Sequence, residues 1–222
     1  MRFKDVFSII GPAMIGPSSS HTAGAVRLGR MARAVLEATP DRAEIVFYGS
    51  FADTYKGHGT DLATTAGLLG YETDDPRIPH AIEHAEAGGM SLTLSIGREA
   101  AVHPNTVEFR IGYGEREVHL RGISVGGGNI KVESVNGFDV AFSGAYPTLL
   151  VYHADREGII AEMTTLLTDY DVNIGWMKLD RKSRREEALT VFESDSGYSP
   201  ALLAQIRLIP EVRRVTVIDR TE

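Results

Sequence analysis

The sequence predicts an α+β protein built from two domains. Three observations lead there: apolar residues at helical spacing follow a serine-rich turn near the N-terminus, a series of short β-branched segments bounded by Gly or Asn turns comes next, and a Gly/Pro-bearing stretch then resets the rhythm for the last 75 or so residues. At 222 residues the chain is long enough for two modest cores. Its composition, 43% hydrophobic and 24% charged, argues against disorder. The net charge of −7 is shared by both halves, so neither is expected to bind nucleic acid. No apolar run is long enough to span a membrane, and the first residues, Met-Arg-Phe-Lys-Asp-Val-Phe, lack the apolar core of a secretion signal. A cytoplasmic chain without membrane attachment is the expectation. No cysteine occurs, which excludes disulfides, thiol catalysis and any thiolate-held metal centre within this polypeptide.

The first helix is expected over residues 22–38, where Leu28, Met31, Ala32 and Val35 share a face. Gly16-Pro17 forces a turn before it, and Ser18, Ser19 and Ser20 offer oxygens to the unpaired N–H groups of the helix start. A cap needs one such oxygen, yet four hydroxyls and the His21 ring gather there, with no Asp or Glu between Val6 and Leu36. Arg27, Arg30 and Arg33 add positive charge beyond. An ordinary helix start carries a carboxylate in its first turn, so the missing anion leaves room for the carboxylate or phosphate of a ligand.

A strand at 44–48, a helix at about 60–69 and a short helix at 79–87 follow. Segments 91–96, 106–111, 116–123 and 129–135 read as strands, and Tyr113-Gly114 and Asn136-Gly137 as hairpin turns, which gives an antiparallel sheet with helices on one face. The linker is Phe142-Ser143-Gly144-Ala145-Tyr146-Pro147. Beyond it come a strand at 148–153, a helix with Ile159, Met163, Leu166 and Leu167 on one face, and strands at 172–179 and 188–193 around the basic hairpin Arg181-Lys182-Ser183-Arg184-Arg185. A helix at 200–207 and a strand at 212–218 complete a βαββαβ, ferredoxin-like order.

Outside the helix mouth, Gly57 and Gly59 let the backbone beside His58 approach a ligand closely, while Thr60 and Asp61 can cap the next helix. This segment is neither a dinucleotide fingerprint, since Leu62 stands where the third Gly belongs, nor a Walker loop. In His103-Pro104-Asn105-Thr106, Pro104 holds His103 extended, and taken alone Asn105 and Thr106 read first as a plain turn before a strand. Gly126-Gly127-Gly128-Asn129 allows close backbone contact with a ligand or a simple hairpin. His80-Ala81-Ile82-Glu83-His84 matches the H-x-x-E-H zinc pattern, but it follows Pro79, ends before Gly88-Gly89 and has no third ligand, so no metal is assigned. The three serines lack a G-x-S-x-G elbow, and Lys56 is the one lysine beside a candidate site.

Taken together, Gly16-Pro17-Ser18-Ser19-Ser20-His21-Thr22, Gly49-Ser50-Phe51-Ala52, Gly57-His58-Gly59-Thr60-Asp61 and His103-Pro104-Asn105-Thr106 resemble, in order and spacing, the β subunit of the bacterial iron-sulfur L-serine dehydratase. That resemblance covers residues 1–142. Residues 148–222 resemble an ACT domain, a regulatory amino-acid-binding module, with Asp155-Arg156-Glu157-Gly158-Ile159 similar to its ligand-binding turn and Asn173-Ile174 expected to face the same crevice. The first domain also resembles the allosteric substrate-binding fold of some phosphoglycerate dehydrogenases. That gives the alternative of a regulatory module that senses an amino acid and holds no catalytic residue.

The dehydratase resemblance implies an enzyme subunit that turns L-serine into pyruvate and ammonia together with an α subunit. The α subunit's cysteines hold a [4Fe-4S] cluster, with one iron open as a Lewis acid for the substrate hydroxyl, and this chain supplies polar groups facing it. His58 is the candidate for handling a proton. Ser18, Ser19, Ser20 and His21 join it as catalytic candidates at the helix mouth. Thr22, Gly57, Gly59, Thr60, Asp61, His103, Asn105 and Thr106 are implied to bind substrate, and Asp155, Gly158, Ile159, Asn173 and Ile174 a regulatory ligand. Pairing of two copies through the ACT domain is the expected assembly.

Overall fold

Ser18 ends an extended stretch and starts the first helix: its backbone is β-like (φ −142°, ψ 125°) and its hydroxyl accepts the His21 N–H. The computed structural model, which describes residues 12–99, 103–183 and 186–219, builds that start as a single π-turn, Ser19–Ala23, running directly into α1, Gly24–Leu36. Compared with the expected span of 22–38, the widened first turn extends the helix backwards, and Glu37, left-handed at φ 61°, ends it early.

Next come β1 (Arg42–Tyr48), α2 (Ser50–Thr54), α3 (Thr60–Leu69), a 3-10 turn at Ile78–His80, α4 (Ala81–Ala87) and β2 (Ser91–Ile96). The strands β3 (Thr106–Tyr113), β4 (Arg116–Gly126) and β5 (Asn129–Val135) follow. Their order in the sheet is β2-β1-β3-β4-β5. This corrects the expectation of one antiparallel run through the four later strands: β2 pairs with β1, in parallel, from Arg42↔Ser91 to Phe47↔Ile96, and β1 lies between β2 and β3. The helical crossover from β1 to β2 returns the chain in the same direction, as a parallel pair requires. Consecutive burial of Ile45, Val46 and Phe47 is the mark of a central strand rather than an edge.

The helices cover one face of this sheet. Ile45, Phe109 and Leu120 align across β1, β3 and β4, fully buried, beneath Leu28, Met31 and Val35 of α1. Above them α1 crosses α3 at Gly29 and Gly67, so closely that a Cβ on Gly67 would stand 2.8 Å from the Gly29 Cα. The opposite face carries charged rungs such as Arg110 to Glu44, 3.2 Å, and Arg42 to Glu117, 3.0 Å.

The chain divides into two units, Met1–Asn136 and Gly137–Glu222. The second contains β6 (Phe138–Phe142), β7 (Thr148–Ala154), α5 (Ile159–Asp169), β8 (Ile174–Arg181), β9 (Glu187–Ser194), α6 (Pro200–Leu208) and β10 (Val212–Ile218). Strands pair antiparallel in the order β10-β7-β9-β8, so β7-α5-β8-β9-α6-β10 forms a split βαβ. Leu149, Val151 and Phe192 pack beneath Met163 and Leu167 of α5 and Leu202 and Ile206 of α6. Phe138 of β6 meets the Tyr152 ring edge-on at 6.0 Å. Of the basic hairpin, Arg184 and Arg185 lie outside the described residues. Among the described residues no helix is long and apolar enough to cross a membrane.

Candidate active site

The Ser19–Ala23 turn lies against both α3 and β4, which brings the serine-rich segment to the loops before α2 and α3. His21 is its hub. The Nδ1 atom is 3.1 Å from Ser20 Oγ and 3.4 Å from Ser18 Oγ, and Nε2 is 3.2 Å from Ser50 Oγ, twenty-nine positions along the chain. Ser18 and Ser20 are themselves 3.3 Å apart. Two further rings enclose the imidazole edge-on: Phe51 at 5.1 Å and His58 at 4.8 Å between centroids. Burial, and next the His58 ring, hold the His21 imidazole below its usual range, while the backbone of Ser50 works the other way. A neutral ring, able to take up a proton, is the result.

His58 reaches this position through backbone bonds. Its N–H donates to the Thr54 carbonyl at 2.9 Å, and its own carbonyl accepts the Thr22 hydroxyl at 3.3 Å. Gly59 is left-handed (φ 66°) and begins α3 without a side-chain cap, so Thr60 does not play the capping role expected of it. Thr60 Oγ1 and His58 Nδ1 are both buried and have no hydrogen-bond partner among the described residues. Orphaned polar atoms are rare in folded interiors, and two lie within three residues here. Asp61 bonds the Leu62 N–H at 2.8 Å, and burial pushes its carboxyl above the usual range. Ser19 contributes its carbonyl, which accepts the Gly24 N–H. Gly57 is exposed at the rim.

The His103 loop also converges here, and several of its polar groups bond within the loop or to Ser124. The Asn105 N–H donates to His103 Nδ1 at 3.2 Å, the Thr106 hydroxyl to the His103 carbonyl at 2.6 Å, and the Asn105 amide to the Ser124 carbonyl at 3.4 Å. Its anchor is Gly49: at φ 55° and without a Cβ, that residue lets Pro104 press close, and the Pro104 carbonyl accepts the Phe51 N–H at 3.3 Å. This contact fixes Ser50 against His21. Sequence reasoning gave Ser50 no role, although its motif stood in the set of four. Ser124, buried against Gly24 with its hydroxyl unpartnered among the described residues, was missed altogether, because a serine within a β-strand carries no local signal.

Elsewhere, His80 Nδ1 pairs with Glu83 at 3.1 Å and His84 Nδ1 with the Tyr71 hydroxyl at 3.0 Å. In the second unit Gly158 is left-handed (φ 82°) before α5, Asp155 pairs with Arg181 at 2.9 Å, and Ile159 is buried in the core. Asn173 and Ile174 do not share that crevice within one chain. Asn173 donates to Asp195 at 2.6 Å at the far end of β8, since β8 runs in the same direction as β7 and starts where β7 starts.

The first unit is thus an α+β domain that gathers hydroxyls and two imidazoles around a helix start, with orphaned polar atoms beside them. Comparison with known proteins gives the family. The serine dehydratase beta chain family matches residues 3–96. The chain is 44% identical to the probable L-serine dehydratase beta chain of Bacillus subtilis (strain 168), over 98% of this chain and 99% of that one. It is 36% identical to the L-serine dehydratase beta chain of Peptoniphilus asaccharolyticus, over 93% and 94%. A more distant likeness, 23% identity, links 72% of it to 31% of a D-3-phosphoglycerate dehydrogenase of Bacillus subtilis (strain 168). The chain belongs to the L-serine dehydratase beta-chain family.

Proposed function

We propose that this chain is the β subunit of an L-serine dehydratase and, with an α subunit, converts L-serine to pyruvate and ammonia. The observation that carries this reading is the near full-length relationship to beta chains of that enzyme, 44% identical over 98% of this chain. A thiolate-held [4Fe-4S] cluster does not fit this chain's own donors, since the sequence has no cysteine. Its ligands then belong to the α subunit, where it supplies a Lewis acid.

The reaction removes the Cα proton and the β-hydroxyl of serine as water. The resulting aminoacrylate tautomerises to an imine, which adds water and releases ammonia to give pyruvate. In this reading the substrate carboxylate is received beside Ser18 and Ser20 at a helix start that has no acidic residue in its first turn, where backbone N–H groups present the positive end of the dipole. His58, with Nδ1 unpartnered among the described residues, handles the proton. His21 orders the hydroxyls between them. The test is anaerobic co-expression with the cysteine-bearing α subunit. The complex should be brown and form pyruvate from L-serine, and the isolated chain should bind no cluster and form none. Pyruvate from the isolated, metal-free chain would overturn the assignment.

The first unit is assigned the allosteric substrate-binding fold and the second an ACT domain. Supporting the second assignment, β8 is an edge strand with Met177 and Leu179 exposed, the kind of edge that another strand covers. Antiparallel pairing of two β8 edges brings the Asn173 end of one copy to the Asp155 end of the other, so a regulatory amino acid would sit between copies.

A further inference from the structure

We propose that Ser50 is a positioning residue that holds His21 in the tautomer protonated on Nε2, leaving Nδ1 as the basic nitrogen; this rests on the dehydratase reading above. The ring is held at both nitrogens, by Ser20 and Ser18 at Nδ1 and by Ser50 at Nε2. Hydroxyls both donate and accept, so these bonds alone allow either tautomer. The helix start decides between them. Nδ1 belongs to the first turn, where backbone N–H groups present the positive end of the dipole and no Asp or Glu offsets it, and a lone pair is more stable there than a second N–H.

With that choice the donors form one direction of travel. Ser18 Oγ, already accepting the His21 N–H, donates to Ser20 Oγ; Ser20 donates to Nδ1; and Nε2–H donates to Ser50 Oγ. Ser50 can serve because its own place is fixed. Its carbonyl accepts the Thr54 hydroxyl at 2.7 Å, and the next residue, fully buried Phe51, is tied to the Pro104 carbonyl. The titratable group facing the His21 ring is His58, and no carboxylate is among the ring's described contacts. A proton arriving at Nδ1 therefore makes an imidazolium whose Nε2–H is already paired.

Two measurements test this. In the isolated full-length chain, nitrogen-15 NMR of the His21 ring should show Nε2 protonated in the wild type and a mixture of tautomers in Ser50→Ala. Nε2 found unprotonated in the wild type overturns the proposal. In the assembled complex, Ser50→Ala should lower kcat about tenfold, less than the loss of a positioned acid or base itself, with KM for serine nearly unchanged. The acid limb of kcat/KM should move to lower pH, since the bond lost from Nε2–H to Ser50 Oγ is stronger when the ring is charged. Ser50→Thr should restore both. An unmoved acid limb, or a Ser50→Thr complex as impaired as Ser50→Ala, also overturns it. A wild-type complex inactive on serine would instead sink the dehydratase reading, and the NMR arm would still decide the tautomer.

Discussion

The His21 and His58 imidazoles stand edge to face, 4.8 Å between centroids with their planes 75° apart, and the Thr22 hydroxyl bonds the His58 carbonyl from the adjacent position. The serine-rich helix start and the Gly57-His58-Gly59 loop are thus one site. Burial and the neighbouring His58 ring disfavour a charge on His21, which favours its neutral imidazole.

His58→Ala in the assembled complex should lower turnover by about a hundredfold or more, the usual worth of a positioned acid or base. His58 is half-buried and its fixing bonds are made by the backbone, so folding and subunit assembly should survive the change. Steady-state pyruvate formation together with gel filtration checks both, and near-normal turnover would remove His58 from the proton-handling role.

Gly29→Val should destabilise the first unit by about 2–3 kcal/mol, because the added atoms must push apart backbones that already touch at the α1–α3 crossing. Gly197→Ala, which meets nothing within 4 Å, is the control and should be near neutral. Urea denaturation of the two variants checks this; equal midpoints would show that the crossing relaxes freely.

Much of this architecture was legible because its causes are local. The hairpin turns at Gly114 and Asn136-Gly137 have the positive φ that their residue types favour, and the Ser18 cap sits where three serines precede an apolar stripe. The position of β1 between β2 and β3 was not legible, since strand order depends on which crossover packs where; the hint was the unbroken apolar Ile45-Val46-Phe47. In the site, the four motifs were visible as a set. The bond from His21 to Ser50 was not, because it joins residues far apart in sequence through a glycine whose only signal is its missing Cβ.

His153 should make the second unit less stable in mild acid. It is fully buried; its Nδ1–H donates to the Ala154 carbonyl and its Nε2 accepts the Thr190 hydroxyl, both at 2.8 Å, so the ring is neutral. Burial holds it below the ordinary value of 6.5. Above that pH both folded and unfolded chains carry a neutral ring. As pH falls through 6.5 the unfolded ring takes a proton that the folded ring refuses, so stability drops until the folded value is reached. His153→Asn, which keeps a donor for Ala154 but cannot titrate, should lose less stability between pH 7.5 and 5.5 than the wild type. An equal loss in urea midpoints would assign the acid sensitivity to other groups.

Separate placement of the two segments proposed to bind a regulatory amino acid leads to a complementation test. Asp155 and Gly158 lie at the Arg181 end of β8, and Asn173 lies at the other, about 26 Å away along eight residues at ~3.3 Å each. No single amino acid spans that distance, so one chain cannot close a site from both. In the proposed dimer, two chains paired through β8 would form two such sites, each taking Gly158 from one copy and Asn173 from the other. Gly158→Val forces a side chain onto a left-handed backbone and should abolish any amino-acid response, as should Asn173→Ala. Mixing the two variants should restore part of the response: the mixed pair has one site carrying both defects and one carrying neither. Met177→Lys with Leu179→Lys should break the pairing and remove the response in every combination. Calorimetric titration of the mixed complexes with L-serine and other amino acids reads the outcome, and a mixture as unresponsive as either parent, with the dimer intact by light scattering, rules out a site shared between copies.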